Sequence, residues 1–135
     1  MDCLFCKIVA GEIPAHKLFE DERTLAFLDI FPGTEGHSLV IPKAHARDLH
    51  ELAPADLAAV MATAQRVGGV LERALGAQGL NLHQSNGEAA GQVIFHFHMH
   101  LLPRRDGDGL RSPWRPEEGE QAELAALAER IRREI

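Results

Sequence analysis

No stretch of the chain approaches 18 consecutive apolar residues, and Met1-Asp2-Cys3-Leu4-Phe5-Cys6-Lys7 has neither a long apolar run nor a small-residue cleavage site. A membrane-spanning helix and a secretory leader are therefore not expected, and a cytoplasmic protein is. Positive charge is also scarce. Lys and Arg number 14 against 20 Asp and Glu, and the net charge of −6 argues against a nucleic-acid surface, which needs many cationic contacts to phosphate. No Gly-x-x-x-x-Gly-Lys occurs, so any phosphate chemistry here does not use that lysine loop. There is no internal repeat and no low-complexity segment. What remains is 135 residues, 45% of them hydrophobic, enough for one core and too few for two ordinary domains.

Against that background one stretch stands out, Gln92-Val93-Ile94-Phe95-His96-Phe97-His98-Met99-His100-Leu101-Leu102. Histidine recurs at every second position of an apolar run. On a strand this puts His96, His98 and His100 on one face, with Phe95, Phe97, Met99 and Leu101 filling the other as core. Burying three imidazoles by packing alone is costly, so their face is expected to look into a polar site. At about 3.3 Å per residue the outer two sit about 13 Å apart, too far to share one ion with metal–nitrogen bonds of about 2 Å. The row is therefore expected to divide its work, one end serving a metal and the rest a substrate.

Cys3 and Cys6 form a Cys-x-x-Cys at the start. The spacing fits half of a zinc site or a redox pair, and zinc is favoured because no strand precedes the motif as it would in a thioredoxin-like unit. Two further ligands are needed, and eight histidines are available. Between the motifs, short strands are expected at 17–20, 24–30, 37–41 and 80–84. The main helix begins near Pro54 and carries Leu57, Val60, Met61, Ala64, Val67 and Leu71 at helical spacing. Gly68 and Gly69 inside it suggest close packing on a sheet, and Gly76 and Gly79 suggest its end. After Arg105 the pattern breaks, and 117–135 reads as an amphipathic helix that docks on its own domain or on a partner. Arg104, Arg105, Arg111 and Arg115 follow the histidines closely enough to help offset an anionic substrate.

His96-Phe-His-Met-His-Leu-Leu102 resembles the signature of the histidine triad (HIT) family, three histidines alternating with apolar residues. Ala90-Gly91-Gln92 before it, Pro103-Arg104 after it, Leu25 to Ile30 and Gly36 to Lys43 are similar to that family too. The likeness covers about the first 105 residues, implying a HIT domain over 1–105 and a C-terminal extension over 106–135. It implies an α+β fold: about five mainly antiparallel strands, one long helix, a C-terminal helix, and a homodimer with one continuous sheet. It implies a structural zinc on Cys3, Cys6, His45 and His96.

The same resemblance assigns the chemistry. His98 is the nucleophile, His100 a phosphate-binding partner, and His37 an auxiliary histidine holding the middle one in the right tautomer through the network around it. A purine nucleotide or nucleotide conjugate is the expected ligand. Leu4, Phe5, Ile8, Phe27 and Ile30 sandwich the base, Asp29 accepts from the ribose, and Asn86, or Ser85 in its place, lies near ribose and phosphate. Backbone at Gly91, Gln92 and Val93 approaches the phosphate. Family members often carry Ser or Thr where this chain has Val93, and valine cannot protonate a leaving group. The implied reaction is nucleotidyl transfer to water at the α-phosphate of a nucleoside 5′-phosphoramidate. A dinucleoside polyphosphate substrate, or a binding module with vestigial chemistry, are the alternatives.

Overall fold

The computed structural model describes residues 2–111 and 114–135; Pro113, which flanks Trp114, lies outside them. In chain order the elements are α1 (Leu4–Val9), β1 (Lys17–Glu20), β2 (Thr24–Leu28), β3 (Ser38–Pro42), α2 (Pro54–Leu75), β4 (Gly79–His83), a 3₁₀ turn at Glu88–Ala90, β5 (Met99–Arg104) and α3 (Gln121–Arg132). The strands form one antiparallel sheet in the order β1-β2-β3-β5-β4.

Alternation along the central strands explains the layers. Leu25, Phe27, Leu39 and Ile41 share one cluster with Phe5 and Ile8 of α1, while Ala26, Val40 and Leu101 share the other with Val60, Ala64, Val67 and Leu71 of α2. The central sheet is thus covered on both faces, the reason β2 and β3 read as nearly continuous apolar runs. A buried bond between Thr24 Oγ1 and Thr63 Oγ1 at 2.7 Å ties β2 to α2. Helix α2 starts with Pro54 at its first turn and ends on left-handed Gly76, φ 62°.

Three expectations need correction. The histidine run is strand only from Met99; residues 92–98 form a loop. Ladder pairing of β3 with β5 runs from Ser38↔Leu101 to Val40↔Met99 and stops there. Pro42 has no N–H to continue it, and its carbonyl accepts from the His96 ring. Alternation nevertheless survives beyond the strand: Phe97, Met99 and Leu101 join the α2-side core, whereas Phe95 is 40% exposed and lies against Arg47. Second, α3 has no buried residue, so it does not dock on its own domain. Third, a side chain at Gly68 would come within 2.6 Å of Leu80, confirming close packing there, but Gly69 faces only the end of Arg73, and Gly79 opens β4 rather than closing α2.

Candidate active site and metal cluster

Everything chemical gathers on the α1 side of the sheet. Each histidine of the run is held by a different neighbour, and those bonds decide which nitrogen carries the proton. The His98 Nδ1–H donates to the His96 carbonyl at 2.7 Å, leaving Nε2 with a free lone pair. His37 Nδ1 accepts from the Gly33 amide at 2.9 Å, so its proton is on Nε2, which donates to His100 Nδ1 at 2.8 Å. The His100 proton is then on Nε2. His37's direct partner is thus His100, and the tautomer of His98 is set by the loop backbone. Asp29 Oδ2 lies 3.4 Å from His37 Nε2, and its Oδ1 accepts from the Phe31 amide.

Burial lowers the pKa of His37, of His98 and of His100, the last to about 4, helped by neighbouring His98 and His37. Each is thereby biased toward the neutral form, His98 with an open lone pair on Nε2 and His100 with an uncharged N–H. The 2.8 Å between His37 and His100 is a hydrogen bond, so the Asp29, His37, His100 group is a relay rather than a metal cradle.

His96 turns the other way. Its Nε2–H donates to the Pro42 carbonyl at 2.8 Å, which frees Nδ1. That atom lies 3.5 Å from Cys3 Sγ, 3.6 Å from Cys6 Sγ and 3.3 Å from His45 Nδ1, and Cys6 Sγ lies 3.4 Å from His45 Nδ1. A tetrahedral ion with metal–N and metal–S bonds of about 2.05 and 2.3 Å separates two nitrogens by about 3.3 Å and nitrogen from sulfur by about 3.6 Å. These four separations match the edges of a zinc tetrahedron, and all four ligand atoms lie within 4.8 Å of one another. Burial and the adjacent Cys3 push the Cys6 thiol up, a bias that a bound cation would reverse.

Between α1, β2 and the histidine loop lies a cavity of about 400 Å³. Its wall includes Leu4, Phe5, Ile8, Phe27, Ile30, Asp29, Gly91, Val93, His98 and His100, bringing together ten of the residues the sequence pointed to. Phe5 is the hinge of the arrangement, its ring edge-on to Phe27, His96 and His98 at 5.6, 5.9 and 5.2 Å. The Asn86 side chain is turned to neighbouring loops, and so is the side chain of Gln92, which was expected at the phosphate through its backbone. Asn86 Oδ1 accepts from the Leu49 amide and from Gln84, which its own amide donates to in return. Buried Gln92 donates to the carbonyls of Arg47 and Ile94 and accepts from the Gly87 amide. Both side chains hold loops together. Ile13, Pro14, Ala15, Phe31 and Ile94 also line the cavity, and His83 faces His100 across the β4–β5 pair at 5.7 Å between rings; no sequence signal marks any of the six. Loop apolar residues carry no period, and strand pairing is invisible in one sequence.

A HIT domain family profile matches residues 10–107. The chain belongs to the HIT family. Among its relatives, adenosine 5′-monophosphoramidase hnt1 of Schizosaccharomyces pombe is 40% identical over 136 residues, covering 100% of this chain and 99% of that one. The crystal structure of SMU.412c from Streptococcus mutans UA159 superposes with a TM-score of 0.93 at 46% identity, covering 98% of this chain and 85% of that one. A zinc-bound histidine triad protein of Mycobacterium smegmatis superposes with a TM-score of 0.79 at 43% identity, over 96% and 97% of the two chains. The HIT profile begins after Cys3 and Cys6, so the candidate ligand cluster joins residues inside the matched segment to two outside it.

Proposed function

We propose that this HIT protein hydrolyses nucleoside 5′-phosphoramidates or related nucleotide conjugates at the α-phosphate through a nucleotidyl-His98 intermediate. The observation that carries the reading is the His98 tautomer: proton on the loop side, lone pair on Nε2, at the wall of an apolar slot sized for a base. The relative named as a monophosphoramidase supports the substrate class.

Leu4, Phe5, Ile8, Phe27 and Ile30 sandwich the base, and Asp29 at the cavity wall accepts from the ribose. His98 Nε2 attacks phosphorus as the phosphorus–nitrogen bond to the leaving amine breaks. The amine departs with the electron pair and takes its proton from water, since Val93 has none to give. The neutral His100 N–H and backbone at Gly91 to Val93 hold the nonbridging oxygens. A second water then attacks the adduct, releasing the monophosphate and the proton that balances the first.

Cys3, Cys6, His45 and His96 would hold zinc, whose full shell of four protein ligands makes it a structural ion that cross-links α1 to the histidine loop. Thiolate ligands suit a reducing, cytoplasmic setting. Two protomers would join through β4, an edge strand beside exposed Met61 and Leu82. His98→Asn tests the reading: turnover of adenosine 5′-phosphoramidate should be abolished while adenosine monophosphate still binds, and near-native turnover would remove His98 from the role.

A further inference from the structure

On the far side of Val93 from the nucleotide cavity lies a second groove, of about 530 Å³. The two share Leu4, Val93 and Ile94 as a common wall, and Val93 stands 83% exposed on the rim between them. His98 lines the cavity and not the groove. With its nucleoside in the cavity, a phosphorus held at His98 has the groove within reach of its remaining substituent across the shared rim at Val93.

The groove is built to a pattern. One side is apolar: Leu4, Val93 and Phe95 are all exposed to solvent. The rest of the lining, Ile94 aside, is polar: Asp2, Arg47 and Glu51, with Cys3 and His45 of the candidate metal cluster. Asp2 pairs with Lys7 at 2.9 Å, and Glu51 accepts from the Arg47 amide at 2.8 Å. The Arg47 guanidinium lies against the Phe95 ring at 5.8 Å and pairs through Nε with Asp48 Oδ2 at 3.6 Å, while Asp48 Oδ1 accepts from the amides of His50 and Glu51; the Arg47 side chain is 59% exposed, which leaves its terminal N–H groups for an incoming carboxylate. Arg47 is also fixed relative to Val93. Buried Gln92, next to Val93, donates to the Arg47 carbonyl at 2.7 Å.

We propose that this groove is the leaving-group site, and that it selects an amine with an apolar body ending in a carboxylate, the body on Leu4, Val93 and Phe95 and the carboxylate on Arg47. The inference rests on the phosphoramidate reading above, and its test reads binding so that the two can fail separately. Three ligands are compared on the His98→Asn chain by equilibrium titration: adenosine 5′-phosphoramidate, its N-(4-carboxybenzyl) derivative and the isosteric N-(4-carbamoylbenzyl) derivative. Both derivatives should bind more tightly than the unsubstituted compound, and the carboxylate should exceed the carboxamide by about fivefold, the scale of one partly exposed charge pair. Arg47→Glu should abolish or invert that charge preference, and Arg47→Lys should keep part of it. Equal affinity of the two derivatives, a preference that survives Arg47→Glu, or no binding of any of the three would overturn the assignment. The expected preference, together with no hydrolysis of any of the three by the native chain, would leave the groove assigned and sink the hydrolase reading instead.

Discussion

A histidine can donate at one nitrogen and accept or ligate at the other, and this site uses that division three times. His96 donates to the Pro42 carbonyl and turns Nδ1 toward Cys3, Cys6 and His45, His98 donates to the His96 carbonyl and leaves Nε2 open, and His37 donates to His100. None works if protonated, and burial keeps each pKa below 6.5. For His100, at about 4, the folded chain binds fewer protons than the unfolded chain between the two values. Stability is then full above pH 6.5 and falls as pH drops toward 4, for His100 by on the order of 3 kcal/mol. Thermal melts between pH 7 and 4.5 should show a steeper loss for the native chain than for His100→Gln; parallel curves would contradict the assignment. The residue types and spacing of this machinery were legible in the sequence, because strict alternation in an apolar run has few other uses. The proton positions were not, since they depend on carbonyls of Pro42 and His96 that only the broken ladder exposes.

At the level of elements, helix α1 is the piece the sequence hid. Six residues are too few for a helix to persist alone. Here Cys3 caps it through a bond from the Cys6 amide at 3.4 Å, and the same two cysteines reach the metal cluster while Leu4, Phe5 and Ile8 between and beyond them line the cavity. Cys3→Ala should therefore lower the melting temperature and, because α1 loses its anchor, weaken adenosine monophosphate binding as well. A variant with native stability and native affinity would show that α1 is held by packing alone. Helix α2 was easy to find from its spacing, but what a glycine tolerates, in α2 or in the turn before β3, only packing reveals. Gly69→Ala meets open surface and should stabilise by about 0.5–1 kcal/mol through helix propensity. Gly36→Ala, at φ 84° and with its new methyl driven to 2.3 Å from Leu75, should destabilise by about 2 kcal/mol or more. Urea unfolding of both variants checks the contrast, and a shared sign would contradict it.

The whole molecule is a two-sided sheet whose α2 face carries stability and whose α1 face carries chemistry. Sheet class and strand number followed from the family resemblance, whereas the order β1-β2-β3-β5-β4, which leaves β4 at an edge, was not legible in the residues. That edge and its apolar neighbours define the expected dimer. Sedimentation should give twice the 14.8 kDa chain mass, and Met61→Glu with Leu82→Glu should give one chain mass; a native monomer would remove the continuous-sheet dimer. The exposed stripe of Leu124, Leu127 and Ile131 on α3 belongs to the same question of what covers this chain in solution. All of it serves one claim, that the site makes a covalent bond from His98 to phosphorus. Intact-protein mass spectrometry after brief mixing with adenosine 5′-phosphoramidate tests it most directly, with His98→Ala run alongside. A transient mass increase of one adenylyl group on the native chain alone is the expected result, and monophosphate released without any adduct, or an adduct that survives His98→Ala, would contradict it.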